Sequence, residues 1–149
     1  MSNQVIESIA KRRSHRAYTD QQLTPEQLDL VVTCALQSPS ANNAQPWHFS
    51  VVQDQELLKR VHQAAAQTAR EMDASKRPSR FMADDFHVFY HAPTVIFLSA
   101  PGSNHYAAVD CGIAVQNIAL AAESLGLGSV ILGLPRLAFS LQGNAYSND

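Results

Sequence analysis

Apolar positions along the chain switch between helical and strand periods. Residues 3–13 set Val5, Ile6, Ile9 and Ala10 on one helical face. A second helix carries its own start signals: Thr24 can cap it, Pro25 suits its first turn, and Gln27 completes a capping box. Leu28, Val31, Val32, Ala35 and Leu36 form its buried stripe, and Pro39 stops it. Residues 38–47, polar and bounded by Pro39 and Pro46, read as an ordered loop. His48-Phe49-Ser50-Val51-Val52 reads as the first strand. Asp54 then caps a helix carrying Leu57, Leu58, Val61, Ala64, Ala65, Thr68 and Met72.

Over residues 74–85 the pattern weakens into a basic connector containing Pro78. Thr94-Val95-Ile96-Phe97-Leu98-Ser99 reads as a buried strand leading through Pro101 and Gly102 into a long alanine-rich helix that Gly126 can terminate. Ser129-Val130-Ile131-Leu132 reads as a third strand ended by Gly133, and residues 139–149 show no strong period. These elements predict an α+β chain, a small sheet packed against helices with one helix buried on most sides.

With 149 residues, 46% hydrophobic and 16% charged, the chain is long enough for a core and too apolar for disorder. Eleven basic against 13 acidic residues leave a net charge of −2, so no basic face for nucleic acid is expected. Cys34 and Cys111 are too few and too far apart for a zinc site or a disulfide framework, which fits a reducing, cytoplasmic setting. The start Met1-Ser2-Asn3-Gln4 is not that of a signal peptide. The most apolar stretch, residues 106–125, carries Asp110, Gln116, Asn117 and Glu123 and so reads as a buried helix, not a membrane span.

Three segments could carry chemistry. Arg12-Arg13-Ser14-x-Arg16 offers three guanidinium groups and a hydroxyl that can neutralise a phosphate; its plain alternative is a solvated basic turn at a helix C-terminus. In Pro39-Ser40-Ala41-Asn42-Asn43-Ala44-Gln45-Pro46-Trp47, the side chains of Ser40, Asn43 and Gln45 can donate to and accept from a flat heterocycle, or the segment is simply a turn feeding a strand. The glycine-ended run over 126–135 could bring main-chain amides close to a planar ligand, or be only a capped helix, a strand and a turn. His87 and His91, near Asp84 and Asp85, lack a third ligand of matching spacing, so no metal site is expected. Cys34 and Cys111 read as packing residues, and Met72 and Met82 as filler.

In this order and spacing the segments resemble the FMN-dependent nitroreductase family. The resemblance extends to His91-Ala92-Pro93-Thr94-Val95-Ile96 and to the run from Asp110-Cys111-Gly112 through Gln116-Asn117 to Leu125-Gly126-Leu127-Gly128-Ser129, and spans about residues 6–135. It implies a three-layer α+β fold with a small, mainly antiparallel central sheet flanked by helices and a long dimer helix beginning near Asp110. It also implies that residues 1–149 form a single FMN-binding domain, working as a homodimer with no membrane or nucleic-acid partner. By the same resemblance Arg12, Arg13, Ser14 and Arg16 grip the FMN phosphate and ribityl chain. Pro39, Ser40, Ala41 and Asn43 line the flavin, typically reaching across a dimer interface to the partner's cofactor, with Gln45 beside them, and Leu132, Gly133 and Leu134 supply main-chain donors near N5.

The implied activity is hydride transfer from NADH or NADPH to FMN, then two-electron delivery to nitro or quinone acceptors in a ping-pong sequence, with no side-chain nucleophile. The family's protomer continues past this point with a helix, a strand and a basic pair near the phosphate, so the chain is expected to lack a C-terminal part. The competing readings are a specialised, dehalogenase-like flavin reductase using Lys76, Arg77 and Arg80 on an anionic substrate, a non-catalytic flavin carrier, and a flavin-free α+β interaction domain.

Overall fold

Local capping chemistry sets the helix boundaries. The computed structural model describes residues 3–83 and 85–139. Asn3 starts helix α1 (Gln4–Lys11) by accepting the Ile6 N–H at 3.0 Å. Helix α2 (Pro25–Leu36) opens on the predicted capping box, in which Thr24 Oγ1 accepts from Gln27 N–H at 3.2 Å and Gln27 Oε1 accepts from Thr24 N–H at 3.0 Å. Strand β1 is His48–Val52, and Asp54 then caps helix α3 (Gln55–Glu71) by accepting from the amides of Glu56 and Leu57. Strand β2 is Val95–Ser99 and pairs with β1 in a two-stranded antiparallel sheet. Helix α4 (Ala107–Ser124) ends in a Schellman turn: Leu127 N–H donates to Ala122 C=O, Gly126 N–H donates to Glu123 C=O, and Gly126 takes the left-handed φ of +72° that the turn requires.

The predicted third strand is absent from the described residues. Of residues 129–132 only Ser129 makes a β contact, a single parallel bridge to Ser14, and Ile131 stands exposed. An apolar run becomes a strand only where a neighbour offers a row of partners, and here one residue of the N-terminal segment is the whole neighbour. Beyond Gly133 the chain forms a 3-10 turn (Leu134–Phe139) where the sequence pointed to a simple turn. Residues 140–149, read as lacking a period, lie outside the described residues, as does Asp84.

The chain divides into two compact units. The first (Met1–Arg16, Gln21–Val51, Ile96–Ile131) holds α1, α2, α4 and most of the sheet. Its core is built on alanine: Ala107, Ala114, Ala119 and Ala122 make a buried stripe on α4, and Val31 and Ala35 bury the facing side of α2. Small side chains let the two backbones approach closely, which is how a helix of modest apolar bulk holds its neighbours. The expected burial of α4 on most sides is not met within one chain: Val109, Gly112 and Gln116 are exposed, as is the N-cap Tyr106. Likewise α1 buries none of its described residues, leaving Val5, Ile6 and Ile9 more than half exposed.

The second unit (Ala17–Asp20, Val52–Val95, Leu132–Asp149) is built on α3, where Ala65 and Ala69 pack with Leu137 and Ala138 under Val61, Ala64, Met72 and Phe81. Three imidazoles stack there: His62 of α3 on His87, and His87 on His91, both with ring centroids 4.2 Å apart. His62 Nδ1 accepts from Val88 N–H at 3.3 Å, and His87 Nδ1 accepts from the amides of Phe89 and His91 at 3.3 and 3.4 Å. These bonds fasten a turn in which Tyr90 and His91 take left-handed φ values of 52° and 59°. An Nδ1 that accepts from main-chain amides cannot carry a proton. Accordingly burial, reinforced by His62 and His91, pulls His87 from its ordinary 6.5 down to about 4. Burial, then His91 and Arg70, lowers His62 as well.

Because the folded chain disfavours the protonated ring, stability from this turn is complete above pH 6.5 and is lost progressively as the pH falls from 6.5 toward about 4. Urea denaturation should show a steeper loss of stability between pH 7 and 4.5 in the parent than in His87→Asn, whose amide oxygen can accept without titrating. Parallel losses in the two proteins would remove His87 as the cause.

Candidate functional site

The N-terminal arginine turn is seated, not loose. Ser14 bridges Ser129, and the His15 amide donates to Ser129 C=O at 3.0 Å. Gly128 makes this approach possible, since a Cβ there would lie 3.1 Å from His15 Cγ and 3.2 Å from its Cβ. Arg12, the C-cap of α1, is half-buried, while Arg13, Ser14 and Arg16 are exposed. Arg13 donates to Ala10 C=O at 2.7 Å and Arg12 C=O at 2.9 Å, and Arg16 donates to Ser14 C=O at 3.3 Å. The plain reading of this run as a helix C-terminal cap is therefore part of the truth for Arg13. Among the described residues, however, neither Arg12 nor Arg13 has a carboxylate partner, so their positive charge remains available to an anion.

The second predicted segment lies in the same unit. Its centre is a 3-10 turn, Ala41–Asn43, and three of its non-glycine residues hold left-handed φ: Asn42 at 54°, Asn43 at 53° and Gln45 at 45°. Such backbone costs on the order of 1 kcal/mol or more per residue, so surrounding contacts must impose it. Ser40 Oγ accepts from Gln45 N–H at 2.9 Å and closes the loop on itself. Asp110 of α4 accepts from Ala41 N–H through Oδ1 at 3.1 Å, and Asn117 of α4 donates to Ser38 Oγ at 2.8 Å and Cys34 C=O at 3.4 Å. Ser40 and Ala41 are half-buried, whereas Pro39, Asn43 and Gln45 are exposed, and Trp47 packs inward. The loop thus presents amide groups on a backbone it does not have to organise on its own.

Asp110 and Asn117 escaped the sequence reading as site residues, although their signal was plain: an acid and an amide in an otherwise apolar helix. Asp110 is 3% exposed, and its Oδ2 has no hydrogen-bond partner among the described residues. Neighbouring Cys111 has its thiol pushed up by burial and by the Asp110 charge, so it is a poor nucleophile.

The third predicted segment needs correction. Leu132, Gly133 and Leu134 do not end a strand; they belong to the second unit, and Leu134 begins the 3-10 turn. Gly133 is exposed, and a Cβ added there would meet nothing within 4 Å, so no close backbone approach explains the glycine. The connector's cations are committed locally: Arg77 donates to Ala69 C=O at 2.8 Å and Arg70 C=O at 2.7 Å at the end of α3, Lys76 pairs with Asp73, and Arg80 donates to the Tyr90 hydroxyl. Among the described residues no group of three His, Cys, Asp or Glu side chains could hold a metal, and no helix is long and apolar enough to cross a membrane.

An α+β chain whose arginine turn and amide-bearing loop share one unit has the parts of a phosphate-bearing cofactor site. The family model of the nitroreductase family matches residues 9–141, and the chain belongs to that family. A Bacillus subtilis FMN reductase [NAD(P)H] is 34% identical over 142 residues, covering 90% of this chain and 55% of its own length. Among solved structures, an FMN-dependent nitroreductase from Clostridium difficile R20291 superposes with a TM-score of 0.80 at 43% identity, over 88% of this chain and 61% of that one. A nitroreductase with bound FMN from Desulfitobacterium hafniense gives 0.87 at 34% identity, over 94% and 75%. The chain spans between 55% and 67% of the length of three curated relatives.

Substituting Gly128→Ala should push His15 off the 128–129 backbone and lower stability by about 1 kcal/mol, the low end for overpacking. Chemical denaturation should recover part of that loss in the His15→Ala/Gly128→Ala double variant. Strict additivity of the two substitutions would deny the contact.

Proposed function

We propose that the chain is the flavin-holding part of an NAD(P)H-dependent FMN oxidoreductase acting on small electron-poor molecules. The observation that carries this reading is the seated arginine turn, in which Arg12 and Arg13 lack carboxylate partners among the described residues. In the same unit stands a loop of exposed amides on a fixed left-handed backbone. The residues present fit FMN: Arg12, Arg13, Ser14 and Arg16 offer charged and hydroxyl donors suited to a terminal phosphate. Pro39, Ser40, Ala41, Asn43 and Gln45 offer amide and main-chain groups suited to a flavin's imide edge. For Leu132, Gly133 and Leu134 the proposed donor role stands on the family resemblance alone.

Bound FMN would supply hydride acceptance from NADH or NADPH and two-electron reduction of a nitro or quinone acceptor, in a ping-pong order. This chain's own residues do different work. The guanidinium groups neutralise phosphate charge, and Asn43 and Gln45 orient the ring by hydrogen bonding. No side chain need form a covalent bond, which agrees with the unreactive setting of Cys111. Two free thiols support a cytoplasmic setting.

We further propose a homodimer. Val5, Ile6 and Ile9 of α1, Tyr106 at the N-cap of α4, Val109 of α4, and Ile131 all stand at least half exposed in one unit, with Val5 and Val109 both at 64%. So many large apolar side chains on one unit mark a face that another surface covers, and a two-fold copy is the commonest solution.

Titration of the chain with FMN, followed by fluorescence quenching, should show the double variant Arg12→Glu/Arg16→Glu binding about 100-fold more weakly than the parent. Each charge-assisted bond is worth about 1.5–3 kcal/mol, and about 1.4 kcal/mol is tenfold. Affinity within twofold of the parent would refute the phosphate assignment. In sedimentation experiments the parent should run as a dimer and Val5→Glu/Val109→Glu as a monomer; a monomeric parent that still binds FMN would overturn the dimer proposal.

A further inference from the structure

We infer that Asp110 and Asn117 of α4 are the positioning residues of the flavin loop, fixing the left-handed backbone from Ser38 to Gln45 before any cofactor arrives. The inference rests on the reading that this loop lines FMN, and extends it to residues that never need to touch the ring.

A short 3-10 turn needs an acceptor for its first amide. At Ala41–Asn43 the N-cap residue Ser40 makes no side-chain cap bond. Its hydroxyl is committed instead to Gln45 N–H at the far end of the loop, at 2.9 Å. The Ala41 amide is the first donor of the turn, out of reach of the Ser40 side chain, and Asp110 Oδ1 accepts it from a different element at 3.1 Å. The two bonds are complementary: Ser40 closes the loop on itself, and Asp110 ties its first turn to α4.

Asn117 performs the matching task at the loop's entrance. It lies about two helical turns beyond Asp110 on the same face of α4, with fully buried Ala114 between them. Its amide donates to the hydroxyl of buried Ser38 and to Cys34 C=O at the end of α2. Two polar side chains on one rigid helix therefore grip the loop near its start and at its first turn. Within that grip Asn42, Asn43 and Gln45 adopt left-handed φ values, which asparagine tolerates and glutamine does not favour.

Packing alone does not account for Asp110. It is 3% exposed, and among the described residues its Oδ2 is buried without a partner and none of the ion pairs involves it. A buried carboxylate with one bare oxygen is costly, and alanine, the residue of the neighbouring buried positions, would fill the helix face without that cost. What alanine cannot do is accept the Ala41 N–H.

The test compares Asp110→Ala, Asp110→Asn and, as a control for general loosening of α4, Ala119→Gly. In the cofactor-free chain, Asp110→Ala should speed hydrogen exchange at the Ala41 amide at least tenfold, Asp110→Asn should leave it within threefold of the parent because its amide oxygen accepts in the same place, and Ala119→Gly should leave the Ala41 rate relative to its α2 neighbours unchanged. The FMN dissociation constant should follow the same order, rising at least tenfold in Asp110→Ala and staying within threefold in Asp110→Asn. Equal Ala41 exchange in Asp110→Ala and parent, or an Asp110→Asn variant as fast as Asp110→Ala, overturns the inference whatever the flavin does. If exchange follows the expected order while FMN affinity is flat across the variants, Asp110 positions the loop but the loop does not line the flavin, and the functional reading is what fails.

Discussion

A hydrogen bond between a main-chain amide and a buried carboxylate joins the proposed flavin loop to the central helix. Ala41 N–H donates to Asp110 Oδ1, so the loop that carries the candidate flavin contacts is anchored on α4. The arrangement works because α4 is thin. Its buried face is a row of alanines, and where bulkier residues would hold a neighbour at a distance, Asp110 and Asn117 can reach across to the loop and to the end of α2. Elsewhere Val109 of α4 and Val5, Ile6 and Ile9 of α1 stand exposed.

The arginine turn follows a parallel logic. It is held by main-chain contact with Ser129 across a glycine that lets His15 lie close, and its side chains are left to deal with charge. In both segments the backbone is held in part by residues not proposed to meet the ligand, Asp110 and Asn117 for the loop and Ser129 for the turn, which favours a preorganised site. Arg13 illustrates that one residue can serve structure as well: it already bonds the last carbonyls of α1.

What could be read in the sequence was what local chemistry decides. Thr24 with Gln27, Asp54, and Gly126 each fix a helix end through atoms a few residues away, and all three stand where the pattern placed them. Strand β1 was equally legible, residue for residue. The run from Ser129 to Leu132 was misread because strand formation is decided by a partner, and its apolar side chains fit an extended segment with one bridge just as well. The packing of Leu137 and Ala138 against α3 is not legible, because the partner helix lies about seventy residues earlier and the short run Leu134–Phe139 carries no period of its own. For the candidate site, the residues of the arginine turn and the loop were legible as chemistry. The positive φ of Gln45 and the anchoring by Asp110 were not, since both arise from contacts far apart in sequence.

Calorimetric titration of the unaltered chain with FMN examines the central claim most directly. The account predicts saturable, exothermic binding of one equivalent per chain that weakens as salt is raised, since guanidinium–phosphate attraction is screened by ions. Heats no larger than dilution at every salt concentration would contradict it.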